Sequence, residues 1–146
     1  ANCVRHNLPV LFHMGTSFVR CGPLACSRPV LIDAVAARFP DLKVVIAHLG
    51  HPWEGEAIAV IRKHPNVYAD VSALFGRPWQ FYHSMMLAQE YGVLHKLLFG
   101  SDYPFTTPAG SLEGLRAINR FTPGTSLRAI GVRRRWRPAA SRPAAA

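Results

Sequence analysis

Apolar positions along this chain fall into two alternating kinds of segment. Short apolar runs at 8–12 (LPVLF), 43–47 (KVVIA), 66–71 (NVYADV) and 96–99 (KLLF) have the length of strands. Between them lie longer stretches whose apolar residues recur at helical spacing. One begins at Ser27 or Arg28, with Pro29 in its first turn and Leu31, Ala34, Val35 and Phe39 on the inward face. A second covers about 53–63 and buries Ala57, Val60 and Ile61, with Pro65 just past its end. A third covers 79–91 and closes at Gly92. The fourth is capped by Ser111 and runs to about Arg120, with Leu112, Leu115 and Ile118 inward. Residues 1–7 read as the end of a further helix. The run Leu97, Leu98, Phe99 is read as a strand buried on both faces.

Strict alternation of strand and helix implies a parallel sheet with right-handed crossovers. Such units repeat eight times in a barrel of about 250 residues, and the pattern here fills half of one. The residues just past each strand are the ones to search for chemistry, because parallel α/β folds expose it at strand C-termini. The first strand runs into His13, the second into His48, and the last into Gly100, Ser101 and Asp102. Imidazole and carboxylate groups suit Zn²⁺, Mn²⁺ or Fe²⁺, and a catalytic site leaves one position open to water. Repetition at equivalent positions makes His13, His48 and Asp102 one candidate site.

Composition changes this picture only at the end of the chain. Of 146 residues, 49% are hydrophobic and 17% charged, which is globular rather than disordered. No apolar run has the roughly 18 residues of a membrane span, and no signal-peptide pattern opens the chain. Residue 1 is Ala, so a start further upstream is expected. The formal charge of +9 is concentrated: six arginines and no acid lie beyond residue 127, leaving 11 basic and 8 acidic residues before it. That distribution does not predict a nucleic-acid binder. The segment 128–146, rich in Arg, Ala and Pro, is expected to be a disordered tail or the product of a frame error, set apart from a domain at 1–127. Three cysteines without a secretory signal point to reduced thiols and a cytoplasmic location.

The segments LPVLFHMGTSF, FPDLKVVIAHLGHPWEGEAI, HPNVYADVSAL and KLLFGSDYPF together resemble the amidohydrolase superfamily. They are most similar to its amidohydrolase-related branch, which includes aminocarboxymuconate-semialdehyde decarboxylase and gamma-resorcylate decarboxylase. The resemblance covers about residues 5–125 and implies the C-terminal half, strands five to eight, of a metal-dependent (β/α)₈ TIM barrel. It implies that His13 is a metal ligand and that His48 activates water or polarises substrate. Asp102 is implied to bind metal and transfer protons. The family's first strand ends in a His-x-His pair that completes the metal site, and this sequence has no such pair at a strand end. The expectation is a metal-dependent hydrolase of a small carbonyl or carboxylate compound, with zinc as the first metal. A non-oxidative decarboxylase on the same scaffold and an inactive fragment are the alternatives.

Other residues have two readings. His51, Trp53 and Glu54 read first as a helix start and second as the substrate mouth. Asp70 and Ser72 read as hydrogen-bonding groups that orient their neighbours. Arg77 and Trp79, with Trp53, are candidates for holding a substrate carboxylate and ring. His64, His83 and His95 read as surface residues. An incomplete barrel would leave strand edges unpaired, which predicts a homo-oligomer or aggregation of the isolated chain.

Overall fold

The computed structural model describes residues 1–120. The tail and frame-error readings for 128–146 lie outside the described residues. Four strands form one parallel sheet in the order β1-β2-β3-β4: β1 Val10–Phe12, β2 Val44–Ile46, β3 Val67–Asp70 and β4 Leu97–Leu98. A short helix α1 Asn2–Arg5 precedes β1. The crossovers are α2 Leu31–Arg38, α3 Glu54–Lys63 and α4 Pro78–Glu90, and α5 Pro108–Ala117 comes after β4. Among the described residues no helix is long and apolar enough to cross a membrane.

The register explains which face of the sheet is dry. Val10, Val44 and Val67 align in one row, and Phe12, Ile46, Ala69 and Leu97 in another. These rows meet the helical layer, and Val44, Ile46, Val67 and Ala69 are fully buried there with Ile58, Ile61 and Phe81. Alternation sends Leu11, Val45 and Tyr68 to the opposite face, the one a closed barrel turns inward. On that face Leu11 is exposed, while Val45 and Tyr68 are half-buried.

Expectations built on local pattern alone are corrected at four places. β4 is not buried on both faces: Leu97 packs on the core, but Leu98 and Phe99 are 42% and 47% exposed. The strand is a sheet edge, and its second face is the one that carries Leu11. Helix α2 begins at Leu31 after a 3₁₀ turn at Leu24–Ser27; Ile32 and Ala36, one turn apart, are buried and Val35 and Phe39 pack on the core as expected, while Leu31 and Ala34 are exposed. Helix α5 begins at Pro108, because the Thr107 side chain accepts the Gly110 N–H at 3.1 Å. Ser111 is therefore buried inside the helix and Leu112 is exposed, while Leu115 and Ile118 do pack on the core. Finally, His64 is buried, with Nε2 at 2.7 Å from the Asp33 carboxylate. Lys63 reaches the same carboxylate, and Arg28 pairs with Glu56, so ion pairs tie α2 and its approach to α3.

Candidate active site

Three of the four strand exits hold non-glycine residues in the left-handed region. His48 and Leu49 after β2 have φ of 57° and 48°, and Ala73 after β3 and Asp102 after β4 each have φ of 62°. L-residues avoid this conformation at a cost of about 1–3 kcal/mol each, so surrounding bonds must hold it. For His48 that holder is Asp70, the last residue of β3. Its Oδ1 accepts the His48 N–H at 3.1 Å, the Ser72 N–H at 2.9 Å and the Ser72 hydroxyl at 2.5 Å.

These bonds also set the tautomer of His48. Its Nδ1 lies 2.7 Å from Ser72 Oγ. The single Ser72 proton is already given to Asp70, so Oγ accepts, Nδ1 carries the hydrogen, and the neutral ring keeps its lone pair on Nε2. Neutral His48 is thus an acceptor, suited to taking a proton or a metal bond; it can stabilise an oxyanion only as imidazolium. His13, after β1, meets it edge to face with ring centroids 5.1 Å apart. His13 Nε2 is 3.1 Å from the Thr16 carbonyl, which only accepts, so its lone pair is on Nδ1.

His13, His48 and Asp102 line one cleft of about 590 Å³. Arg77 lines it too, one of its Nη atoms donating to the Ala73 carbonyl at 2.9 Å. The Asp102 side chain has no hydrogen-bond or ion-pair partner among the described residues, while its carbonyl accepts the Phe105 N–H at 2.9 Å. Trp53 and Trp79 do not line this cleft. Arg28 lies over the Trp53 ring, and Trp79 stacks on His83 with centroids 5.3 Å apart. His51 does line it, and its Nδ1 is 2.7 Å from Glu54 Oε1. Local pattern reads this pair first as a helix start; the signal that could have found it is the i, i+3 spacing of an imidazole and a carboxylate.

A parallel α/β sheet with ionisable groups gathered at its strand C-termini is the plan of TIM-barrel enzymes. Residues 1–130 match the amidohydrolase family, and the chain belongs to it. A search of curated proteins finds no match. Among solved structures, an uncharacterized TIM-barrel protein from Bordetella bronchiseptica is 27% identical with a TM-score of 0.63; the match covers 88% of this chain and 47% of that one. A zinc-bound amidohydrolase from Burkholderia multivorans is 16% identical with a TM-score of 0.56, over 88% of this chain and 50% of that one. The 5-carboxyvanillate decarboxylase of Sphingomonas paucimobilis is 13% identical with a TM-score of 0.51, over 79% and 44%. The last two likenesses speak for the fold. The chain spans about half the length of these relatives.

Family membership raises the matter of a metal. Among the described residues no group of three or more His, Cys, Asp or Glu stands close enough to hold an ion, whereas a catalytic zinc takes three protein ligands. The donors described here do not close a metal site by themselves.

Proposed function

We propose that the protein to which this chain belongs is a hydrolase of small carbonyl- or carboxylate-bearing compounds. The observation that supports this most is the meeting of His48, Asp102 and Arg77 in one cleft. Asp102, whose carboxylate has no protein partner among the described residues, takes the proton of the attacking water. His48, its lone pair on Nε2, orients that water or holds its second proton. Arg77 suits a substrate carboxylate, which its planar guanidinium can grip at two points. Zinc is the first candidate for a metal because a Burkholderia relative carries it, with manganese and iron as alternatives. His13 and Asp102 would be two of its ligands, and the others would come from outside the described residues.

Two other readings draw on specific observations. A decarboxylase would use the same residues, with Arg77 on the ring carboxylate and His48 or Asp102 delivering a proton to carbon. The open metal set favours an inactive piece. The deciding assay incubates the full chain with zinc and a panel of esters, lactones and ring carboxylates. Zinc-dependent hydrolysis that falls about 100-fold in both His48→Gln and Asp102→Asn supports the proposal. Release of CO₂ without hydrolysis, or no turnover of any compound, overturns it.

A further inference from the structure

His51 stands in the cleft without a role in the scheme above, and its surroundings differ from those of His48 in one decisive respect. The carboxylate behind it is in direct contact: Glu54 Oε1 lies 2.7 Å from Nδ1, and both side chains are almost buried. A carboxylate only accepts, so Nδ1 carries a hydrogen and Nε2 is the ring nitrogen left for the cleft. Glu54 is the first residue of α3 and makes no other ion pair among the described residues; its remaining partner there is the Ser84 hydroxyl of α4, at 3.3 Å. A buried carboxylate of this kind is the counter-charge for an imidazolium. Behind His48 stands a neutral hydroxyl instead, and Asp70 beyond it already accepts three hydrogen bonds. Two imidazoles in one cleft, one backed by charge and one by a hydroxyl, are suited to opposite proton roles.

The backbone under His51 is held as firmly as the ring. The Thr16 N–H donates to the His51 carbonyl at 2.8 Å, and the Thr16 hydroxyl does so at 3.3 Å. Gly15, at φ 119°, makes that approach possible, since a Cβ there would stand 2.2 Å from the same oxygen. The loops after β1 and β2 are thereby locked together, with His13 on one and His51 on the other. The charged or titratable groups that share the cleft with His51 are His13, His48, Arg77 and Asp102, and Glu54 lies behind its ring.

We propose that His51, backed by Glu54, is the proton donor to the leaving oxygen of the substrate; this rests on the hydrolase reading. As water bonds to the carbonyl carbon, one water proton passes to Asp102. The bond from that carbon to the leaving oxygen breaks and its electron pair stays on oxygen. His51 enters this step as the imidazolium, a hydrogen on each ring nitrogen, and the oxygen takes the one on Nε2, leaving the Nδ1 hydrogen in its bond to Glu54. Asp102 then releases its proton to solvent and His51 regains one. An ester or lactone plus water becomes an acid plus an alcohol, and the chain returns to its starting state.

The test compares two esters of one acyl carboxylate, with an alkoxide and a nitrophenoxide leaving group, on the full chain supplied with zinc. A nitrophenoxide departs without a proton. His51→Gln is expected to lower kcat about 100-fold on the alkyl ester and less than about threefold on the nitrophenyl ester, with Glu54→Gln showing the same pattern more weakly. Equal losses on both esters overturn the assignment, because a structural role does not distinguish leaving groups. A second readout is the ¹⁵N imidazole spectrum. A wild-type His51 with its hydrogen on Nδ1, released from that nitrogen in Glu54→Ala, supports the pair, and a hydrogen confined to Nε2 overturns it. If the wild type turns over neither ester, the hydrolase reading fails and the donor role with it. The spectrum then reports on the His51–Glu54 pair by itself.

Discussion

Removing the Asp70 carboxylate is expected to be the most damaging single change near the cleft. Oδ1 of this buried residue accepts the His48 N–H at 3.1 Å, the Ser72 N–H at 2.9 Å and the Ser72 hydroxyl at 2.5 Å. In Asp70→Ala two backbone donors lose their acceptor, at about 1–3 kcal/mol each, and the Ser72 hydroxyl loses a charged one. The left-handed backbone at His48, φ 57°, loses its restraint as well. Because the three bonds share one atom, their losses do not add, and about 3–5 kcal/mol is expected in total. Against a domain stability of about 5–15 kcal/mol this is a large fraction. Urea unfolding monitored by circular dichroism should show the midpoint falling by more than about 1 M with an unchanged slope. Asp70→Asn keeps an acceptor oxygen but not its charge, and should lose about half as much, since charge-assisted bonds are about twice as strong. A loss below about 1 kcal/mol in Asp70→Ala would refute the argument that this carboxylate holds the β2 exit.

Two further expectations concern pH. Hydrogen bonds from Arg28 hold the Glu56 carboxyl below its ordinary value of 4.5, and bonds from Lys63 and His64 hold Asp33 below 3.8. Both groups therefore stabilise the fold above those values and lose that contribution as pH falls through their lower folded values. Melting temperatures measured from pH 5 to pH 2 should fall less steeply in Glu56→Gln than in the wild type, and parallel curves would refute the pairing. At the other end of the scale, burial lowers the Lys96 ammonium from 10.5 while its Nζ donates to the Ile61 and His64 carbonyls at 2.6 and 2.5 Å. As pH rises toward 10.5 the unfolded chain holds the proton that the folded chain has released, so stability rises with pH across that window. Its folded value lies below its unfolded one, which means the ammonium costs stability at neutral pH and that cost shrinks as the folded group deprotonates. Thermal melts between pH 8 and pH 10.5 should shift in favour of the wild type over Lys96→Met as pH increases, and a constant gap would refute this.

The alternation of strand and helix, the parallel sheet and the strand-end positions of His13, His48 and Asp102 were legible from the sequence. Each rests on local chemistry. Apolar runs of strand length, helical spacing and Gly or Pro at the breaks all act within a few residues. The amidohydrolase resemblance was legible for the same reason, since its motifs lie just after the strands. Errors arose where a side chain answers to a distant one. On α2, Ile32 and Ala36 are buried while Leu31 and Ala34 face solvent, and Pro29 before the helix is packed against Gly50, 21 residues on, where a Cβ would stand 2.2 Å from it. His64 is buried because Asp33, on another helix, accepts its hydrogen.

The sequence by itself determined which residues leave each strand and therefore which groups stand at the sheet's C-terminal edge. It could not determine what lies behind those groups. The lone pair of His48 is set by Ser72 and Asp70, more than 20 positions away, and His51 is locked by a loop 35 residues earlier. Hydrogen-bond partners of this kind are a matter of strand order and register, which place the β1, β2 and β3 exits side by side. Only the folded sheet distinguishes a ring backed by a hydroxyl from a ring backed by a carboxylate, and the roles proposed for the two histidines rest on that difference.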